Sequence, residues 1–207
     1  MRTTLRNGLR VTVILCVVLS AIEACGFDLS LSIGGAFVPA AWVNDQIAEY
    51  GIRYHELIKP IEYALSGRLG LRIPDWSFWR ATTRLGLDLR TVSRMTEGGR
   101  FSADLLGFSA GADVLLGKLI PAIDVIAYLA SYDAPERDVV SLSGWGIGLR
   151  LGISYRQSIS PNLAVEIGVQ GDVARIKLDG DRNGGASDAI LDLSGIGASI
   201  GMVWRGW

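Results

Sequence analysis

The 207-residue sequence contains very little histidine or cysteine and no long apolar run. Its single histidine, His55, excludes a metal centre built on several histidines. Both cysteines, Cys16 and Cys25, lie among the first 26 residues, so the rest of the chain has no pair for an internal disulfide. No stretch reaches the roughly 18 apolar residues that a membrane-spanning helix needs.

The sequence also has almost no excess of charge of either sign. The chain has 20 basic and 21 acidic residues, a formal net charge of −1. A nucleic-acid-binding domain would carry a clustered basic surface, and the sequence shows none. We therefore expect no nucleic-acid partner.

Glycine and dispersed apolar residues are abundant. There are 26 glycines, apolar residues make up 49% of the chain, and the mean hydropathy is +0.32. This hydropathy is high for a soluble protein, yet no spanning helix accounts for it. A transmembrane β-barrel resolves the conflict because its apolar residues occupy every second position of each strand.

The clearest alternation runs through residues 140–159. One face carries Trp145, Ile147, Leu149, Leu151, Ile153 and Tyr155, and the other carries glycine, serine and arginine. Successive side chains of a strand point to opposite faces, so this pattern predicts a strand. Trp145 and Tyr155 are ten residues apart, which at about 3.3 Å per residue and a typical tilt spans roughly 25 Å, the height of an apolar barrel band.

The same alternation recurs along the chain and predicts an all-β fold, an eight-stranded antiparallel up-and-down transmembrane β-barrel, in residues 27–207. The predicted strands are 27–37, 63–73, 79–95, 101–116, 122–132, 140–159, 163–178 and 190–204. Residues 119–130 also fit a buried helix, since their apolar content is nearly continuous. We predict a turn at 74–76 and a bulge near 194–196, where the alternation shifts phase. An even number of strands places both termini on one side, the periplasmic one.

Residues 1–26 have the features of a secretory signal peptide. Arg2, Arg6 and Arg10 precede a short apolar run, and small residues follow it. We therefore predict export and removal of this segment. Cys25 allows an alternative, a lipid-modified N-terminal cysteine, although Glu23 stands where such motifs carry a small or apolar residue.

Residues 41–61 break the strand pattern. Their apolar residues recur at helical spacing, which predicts a short amphipathic helix or else an irregular loop. Asn44 is placed to cap such a helix and Pro60 to end it. The segment packs on the barrel rim, rests in the outer leaflet, or presents a surface to an external partner; rim packing is the simplest of the three.

Charged side chains on the inward faces form the candidate site. Symmetric hairpins would bring Arg68 near Arg84, Arg84 near Asp113, Asp113 near Asp124, Asp124 near Arg150, and Arg150 near Asp172, around one level of the lumen. Arg156 and Glu166 form a further pair. The interior of an eight-stranded barrel is just wide enough for side chains to fill it. We therefore expect a salt-bridged plug, with a polar conduit as the alternative.

Aromatic side chains fall where the strands would cross the membrane interfaces, where amphipathic rings are favoured. The predicted interface residues are Phe27, Phe37, Trp76, Trp79, Trp145, Tyr155 and Trp204. They predict outer-membrane lipids as partners.

On these patterns, residues 27–207 resemble the small eight-stranded outer-membrane proteins, namely the OmpA membrane domain, OmpX and OmpW-like proteins. The resemblance implies the outer membrane of a diderm bacterium and recognition by the assembly machinery. It implies a structural or surface-exposed role, with a narrow pore for small solutes, hydrophobic ones included, as the alternative.

A lipid-modifying enzyme is the third alternative. Lipid A deacylases of this size use a closely spaced histidine and serine, but the residue two positions after His55 is Leu57. We therefore expect no catalytic residues, no metal and no cofactor.

Overall fold

The computed structural model describes residues 27–78, 81–134, 140–182 and 185–205, and of these it describes the backbone alone at 74–78, 140, 181–182 and 185–188. The predicted signal segment with Cys25, and the interface residue Trp79, lie outside the described residues. The side chain of Trp76 is likewise outside them.

Strands make up almost all of the described chain. In order the elements are β1 (Asp28–Phe37), α1 (Ala41–Tyr54), β2 (Tyr63–Phe78), β3 (Ala81–Thr96), β4 (Gly99–Val114), β5 (Leu119–Asp133), β6 (Val140–Ser160), β7 (Leu163–Arg182), β8 (Gly185–Asp192) and β9 (Gly195–Arg205). Each strand pairs antiparallel with its neighbours, and β9 pairs with both β7 and β1, which closes the sheet into a barrel.

The strands β8 and β9 are two parts of one wall strand, so the barrel is eight-stranded, as predicted. Both pair with β7 in one continuous register, with Arg175 opposite Asp192 and Asp172 opposite Gly195. No residue is inserted at the break, so the predicted bulge near 194–196 is wrong. The apparent phase shift arises because the inward positions Leu191 and Leu193 are apolar and buried.

Two further predictions about local structure are corrected. Residues 119–130 are a strand, not a helix. The predicted turn at 74–76 lies within β2, which continues to Phe78 with a register irregularity after Ile73.

The predicted alternation of outward and inward side chains along the strands is confirmed. Outward positions such as Ile33, Leu65 and Ile147 are more than 60% exposed. A soluble protein does not expose a continuous apolar surface of this kind, so the outer wall is suited to lipid.

The barrel has two distinct ends. The "turn end" carries the starts of β1 and β7 and the end of β9, with Arg205 N–H donating to Asn162 O at 2.9 Å. The "loop end" carries α1 and the connection between β3 and β4. Both described chain ends, residues 27 and 205, therefore lie on one side.

The predicted helical segment forms α1 and packs into the loop end, so rim packing is confirmed. Val43, Ile47 and Tyr50 lie on its buried face. The helix ends at Tyr54, before Pro60, where His55 adopts a left-handed conformation (φ 55°) and Glu56 N–H donates to Gly51 O at 2.9 Å.

Asn44 does not cap α1. The cap position is Ala40, also left-handed, and Asn44 lies inside the first turn. Its side chain instead donates to Pro39 O (2.7 Å) and Ile61 O (2.8 Å) and accepts from Ile61 N–H (2.6 Å). Asn44 therefore ties together the two segments that lead into and out of α1.

Within the described part of the chain, α1 is far too short to cross a membrane, and no longer apolar helix occurs there.

Candidate functional site

The lumen has two halves of opposite chemistry. In the half nearer the turn end, the "turn half", most inward side chains are charged or small and polar, and Ile120, Ala164 and Val203 are buried apolar exceptions. In the half nearer the loop end, the "loop half", they are apolar and pack against α1. Because inward positions alternate with outward ones on every strand, both sets come from the same strand faces.

The charged residues of the turn half form one unbranched series in which arginines and carboxylates strictly alternate. We call this series the charge chain: Asp28, Arg156, Glu166, Arg72, Asp113, Arg84, Asp124, Arg68, Asp88, Arg150, Asp172 and Arg90. Its six arginines balance its six carboxylates. It draws on β1 to β7 and crosses the lumen repeatedly, so it ties most of the barrel wall together.

Most links of the charge chain are short. Asp124 accepts from Arg68 and Arg84, each at 2.6 Å, and Asp172 accepts from Arg90 and Arg150, each at 2.6 Å. Asp113 bonds Arg72 and Asp88 bonds Arg150. Such charge-assisted bonds are the strong kind, and alternation gives nearly every buried charge two partners of opposite sign.

The pairing of symmetric hairpins predicts a ring of charges at one level of the lumen. The charge chain instead runs along the lumen. Arg68 lies opposite Asp88, not Arg84. Arg84 lies opposite Gly111, two residues away from Asp113, although the Arg84 and Asp113 side chains still form an ion pair at 2.8 Å. The expected neighbours Asp124 and Arg150 do stand opposite each other, yet Arg150 bonds Asp88 and Asp172 instead.

Two further pairs behave as the sequence suggested. Arg150 is opposite Asp172 and bonds it, and Arg156 is opposite Glu166 and bonds it at 2.6 Å. Four members of the charge chain are not among the predicted site residues: Asp28, Arg72, Asp88 and Arg90. Their inward position on the strands was the signal that could have found them.

Arg90 explains the break between β8 and β9. The Arg90 Nη1 donates to Leu193 O at 2.8 Å, and the Ser194 hydroxyl accepts from Ala174 N–H at 3.2 Å. These two side chains replace one of the two bonds that Ala174 and Leu193 would otherwise exchange. Leu193 N–H still donates to Ala174 O at 3.1 Å, so the ladder is weakened without a change of register.

Glycine provides the room that the crowded lumen requires. A Cβ at Gly111 would lie 2.3 Å from Asp124 Oδ1, and one at Gly107 would lie 2.9 Å from the Tyr128 ring. A side chain at either position would therefore displace the charge chain or the apolar packing above it.

The loop half is a continuous apolar core. Tyr50 of α1 packs edge-on against Phe101 with ring centroids 5.3 Å apart, and Trp42 packs against Tyr132 at 4.8 Å. The wall strands add further fully buried side chains, among them Leu105, Ile126, Tyr128, Leu142, Ile176, Leu178, Leu191 and Leu193. None of these wall side chains is more than 2% exposed, so α1 and the wall together close the loop end.

A cavity of about 70 Å³ lies in the turn half. The charge chain lines one side of it. The other side carries small polar residues: Ser30, Ser32, Ser66, Ser154, Gln170 and Ser199. At roughly 10–15 Å³ of such volume per molecule, the space suits a few waters.

The remaining predicted residues lie on the outside. Phe37 and Trp145 are exposed towards the loop end, and Phe37 packs edge-on against Tyr63 at 5.9 Å. Tyr155 lies at the turn end under Lys118 Nζ, 5.7 Å from the ring centroid. Phe27 and Trp204 are half-buried there. His55 is exposed in the segment after α1.

No family model matches the sequence, and no curated protein matches it. Solved structures do. Neisserial surface protein A is 15% identical with a TM-score of 0.50, and the match covers 87% of this chain and 97% of that one. The outer membrane protein OprG from Pseudomonas aeruginosa is 10% identical (TM-score 0.48; 87% and 96% covered), and a major outer membrane protein from Thermus thermophilus is 13% identical (0.48; 86% and 99%).

At these identities the likeness concerns the fold, and the match to the Neisserial surface protein agrees with the strand order, the closure and the apolar exterior described above. The chain has the fold of the small eight-stranded outer-membrane β-barrels.

Proposed function

We propose that this protein is an outer-membrane β-barrel of a diderm bacterium that acts through its surface and does not conduct solutes. The single observation that carries the proposal is the double closure of the lumen. The charge chain fills much of the turn half, and the apolar core with α1 fills the loop half. Because the closures are stacked along the barrel, a solute would have to break both to pass.

The exterior supports the membrane part of this proposal. Apolar side chains cover most of the wall between Trp145 and Tyr155. The charged residues Lys177 and Arg175 stand opposite Trp145 and Ile147, at the loop-end edge of that band. The loop end then faces outwards if the described chain ends are periplasmic, as in the arrangement predicted from the strand number. Outer-membrane lipids and the assembly machinery are the partners that this location implies.

Planar-bilayer recording tests the closed lumen. The full chain is refolded in detergent, its barrel is verified by a heat-dependent gel mobility, and equal amounts are added to a bilayer beside a known open barrel. We expect no single-channel steps from this protein at any voltage at which the bilayer is stable. Regular steps that depend on protein concentration would contradict the proposal and favour the narrow pore.

The pore is the second candidate because α1 is a separate element. Left-handed, non-glycine residues, Ala40 and His55, stand at both of its ends, and its buried face provides a large part of the loop-half core. A pore would require α1 to move away from the loop end. Steps that appear only when Asn44, the tie between the flanking segments, is replaced by Ala would support this candidate.

A further inference from the structure

The two longest links of the charge chain leave polar atoms without partners. Arg68 Nε and Asp88 Oδ2 are 3.8 Å apart, and neither is hydrogen-bonded to any other group. Arg156 Nη1 and Asp28 Oδ2 are 3.9 Å apart, and Arg156 Nη2 also has no partner. Such distances are too long for a direct hydrogen bond and suit a bridging water.

Arg72 also has an unpaired polar atom and lines the cavity of the turn half. Its Nε and Nη2 bond Asp113 and Glu166, but its buried Nη1 has no partner. Arg68, Arg72 and Asp88 all line the cavity. An unpaired buried donor or acceptor costs about 1–3 kcal/mol, so the cavity contents must both donate and accept hydrogen bonds.

The wall opposite these atoms is accessible to water. Ser32, Ser66 and Ser199 face the lumen, yet each is partly exposed. On the same face of β1, only four residues from Ser32, Ala36 is 3% exposed and belongs to the apolar core. The accessible space therefore ends abruptly where the loop half begins.

We propose that the turn half holds a blind, water-filled chamber that takes small uncharged polar solutes from the turn end. The loop half closes the other side, and Asp28, 23% exposed in its side chain, marks the open side. The six arginines and six carboxylates already balance, so an ion entering the chamber would be an uncompensated charge beside a desolvated network. Neutral solutes with donors and acceptors match the unpaired atoms of both kinds.

Cysteine accessibility tests the chamber with a matched pair on one strand face. In the full chain carrying Cys16→Ser and Cys25→Ser, Ser32→Cys reports on the chamber and Ala36→Cys on the apolar core. The probe is methyl methanethiosulfonate, a small neutral thiol reagent. Because thiol reactivity follows exposure, we expect Ser32→Cys to react at least ~100-fold faster than Ala36→Cys.

Ser199→Cys, on the chamber wall contributed by β9, provides a second reporter in case Ser32→Cys does not fold or its thiol is slow to ionise. Equal, slow reaction of both chamber cysteines and Ala36→Cys would overturn the proposal. The charged reagents sulfonatoethyl and trimethylammonioethyl methanethiosulfonate should react at Ser32→Cys at least ~10-fold more slowly than at the exposed Ser158→Cys. Charged reagents that label both sites equally fast would show that the chamber admits ions.

The chamber rests on the proposed function in one respect, the closure of the loop half. Recording from the same cysteine variants separates the two ideas. Single-channel steps together with a reactive Ala36→Cys would contradict the proposal that the lumen is closed. A silent bilayer with unreactive chamber cysteines would remove the chamber alone.

Discussion

The turn half and the loop half of the lumen fill the same kind of space with opposite chemistry. In the turn half, stability depends on each charge keeping its two partners. In the loop half, it depends on shape, because apolar side chains from α1 and the wall fit against one another. The difference shows that a narrow barrel interior can be filled either by paired charges or by an apolar core, and we expect the two fillings to respond to different perturbations.

The largest expected effect breaks the charged side of this comparison. Asp124→Ala removes the acceptor shared by Arg68 and Arg84 and leaves both arginines under-compensated in the lumen. Removing one partner of a buried ion pair typically costs about 3–5 kcal/mol. We expect a loss of that size in the free energy of unfolding, measured by denaturant titration in lipid vesicles.

Asp179→Ala is the matched control for Asp124→Ala. Its carboxylate pairs with Lys177 at 3.1 Å, but both side chains are more than 60% exposed, so a loss below about 1 kcal/mol is expected. Equal losses in the two variants would mean that the charge chain adds no more than a surface pair. Both variants should remain non-conducting, since the loop half stays closed.

The second-largest expected effect comes from disrupting the apolar core of the loop half. Ile47→Ala removes a fully buried side chain from the face of α1 that closes the loop end. Truncation of such a residue costs about 2–5 kcal/mol through lost burial and the cavity left behind. Ile52→Ala, on the exposed face of the same helix, should change the free energy of unfolding by much less.

Salt sharpens this contrast between the halves. The destabilisation by Ile47→Ala should be unchanged in the presence of salt, because no charge is involved. A strong salt dependence would indicate that α1 is held by charges and not by packing.

A smaller effect concerns how α1 is held in place. Asn44→Ala loses three hydrogen bonds to Pro39 and Ile61. At about 0.5–1.5 kcal/mol for each bond, we expect local loosening of α1, seen as faster amide hydrogen exchange in residues 41–54 with little change in the charged half. Asn44→Asp keeps the acceptor for Ile61 N–H, so its amide exchange in residues 41–54 should be intermediate between that of the parent protein and that of Asn44→Ala. Unchanged exchange in Asn44→Ala would contradict a role for this side chain in holding α1.

The smallest effect lies outside both halves, at Asp192. The Asp192 carboxylate accepts a hydrogen bond from Ser194 N–H at 2.9 Å and pairs with Arg175 at 3.4 Å.

Asp192→Asn should therefore cost less than about 1 kcal/mol at neutral pH, because the Arg175 side chain is 75% exposed. The difference from the parent protein should shrink as the pH is lowered to about 4 and below, where the carboxyl group takes up a proton. A constant difference across this range would show that the carboxylate charge is irrelevant and that only the hydrogen bonds to Ser194 matter.

Much of the fold is a local property, and the sequence alone determined it. Side chains alternate across a strand whatever lies next to it, so residues 140–159 revealed the lipid face and the inward face without knowledge of their neighbours. The same alternation places Arg72, Asp88 and Arg90 on the inward faces of their strands. The pairing expected from symmetric hairpins does not include them, because a register difference of two to four residues changes which inward side chains meet.

Tertiary structure alone decided the rest. The staggered register turned an expected ring into a chain that joins residues as distant as Arg72 and Glu166. Closure of the barrel created the loop-end opening against which α1 packs, and this made Leu191 and Leu193 core residues and not signs of a bulge. Alternation is determined within each strand, whereas lumen contacts depend on how eight strands are staggered around a common axis.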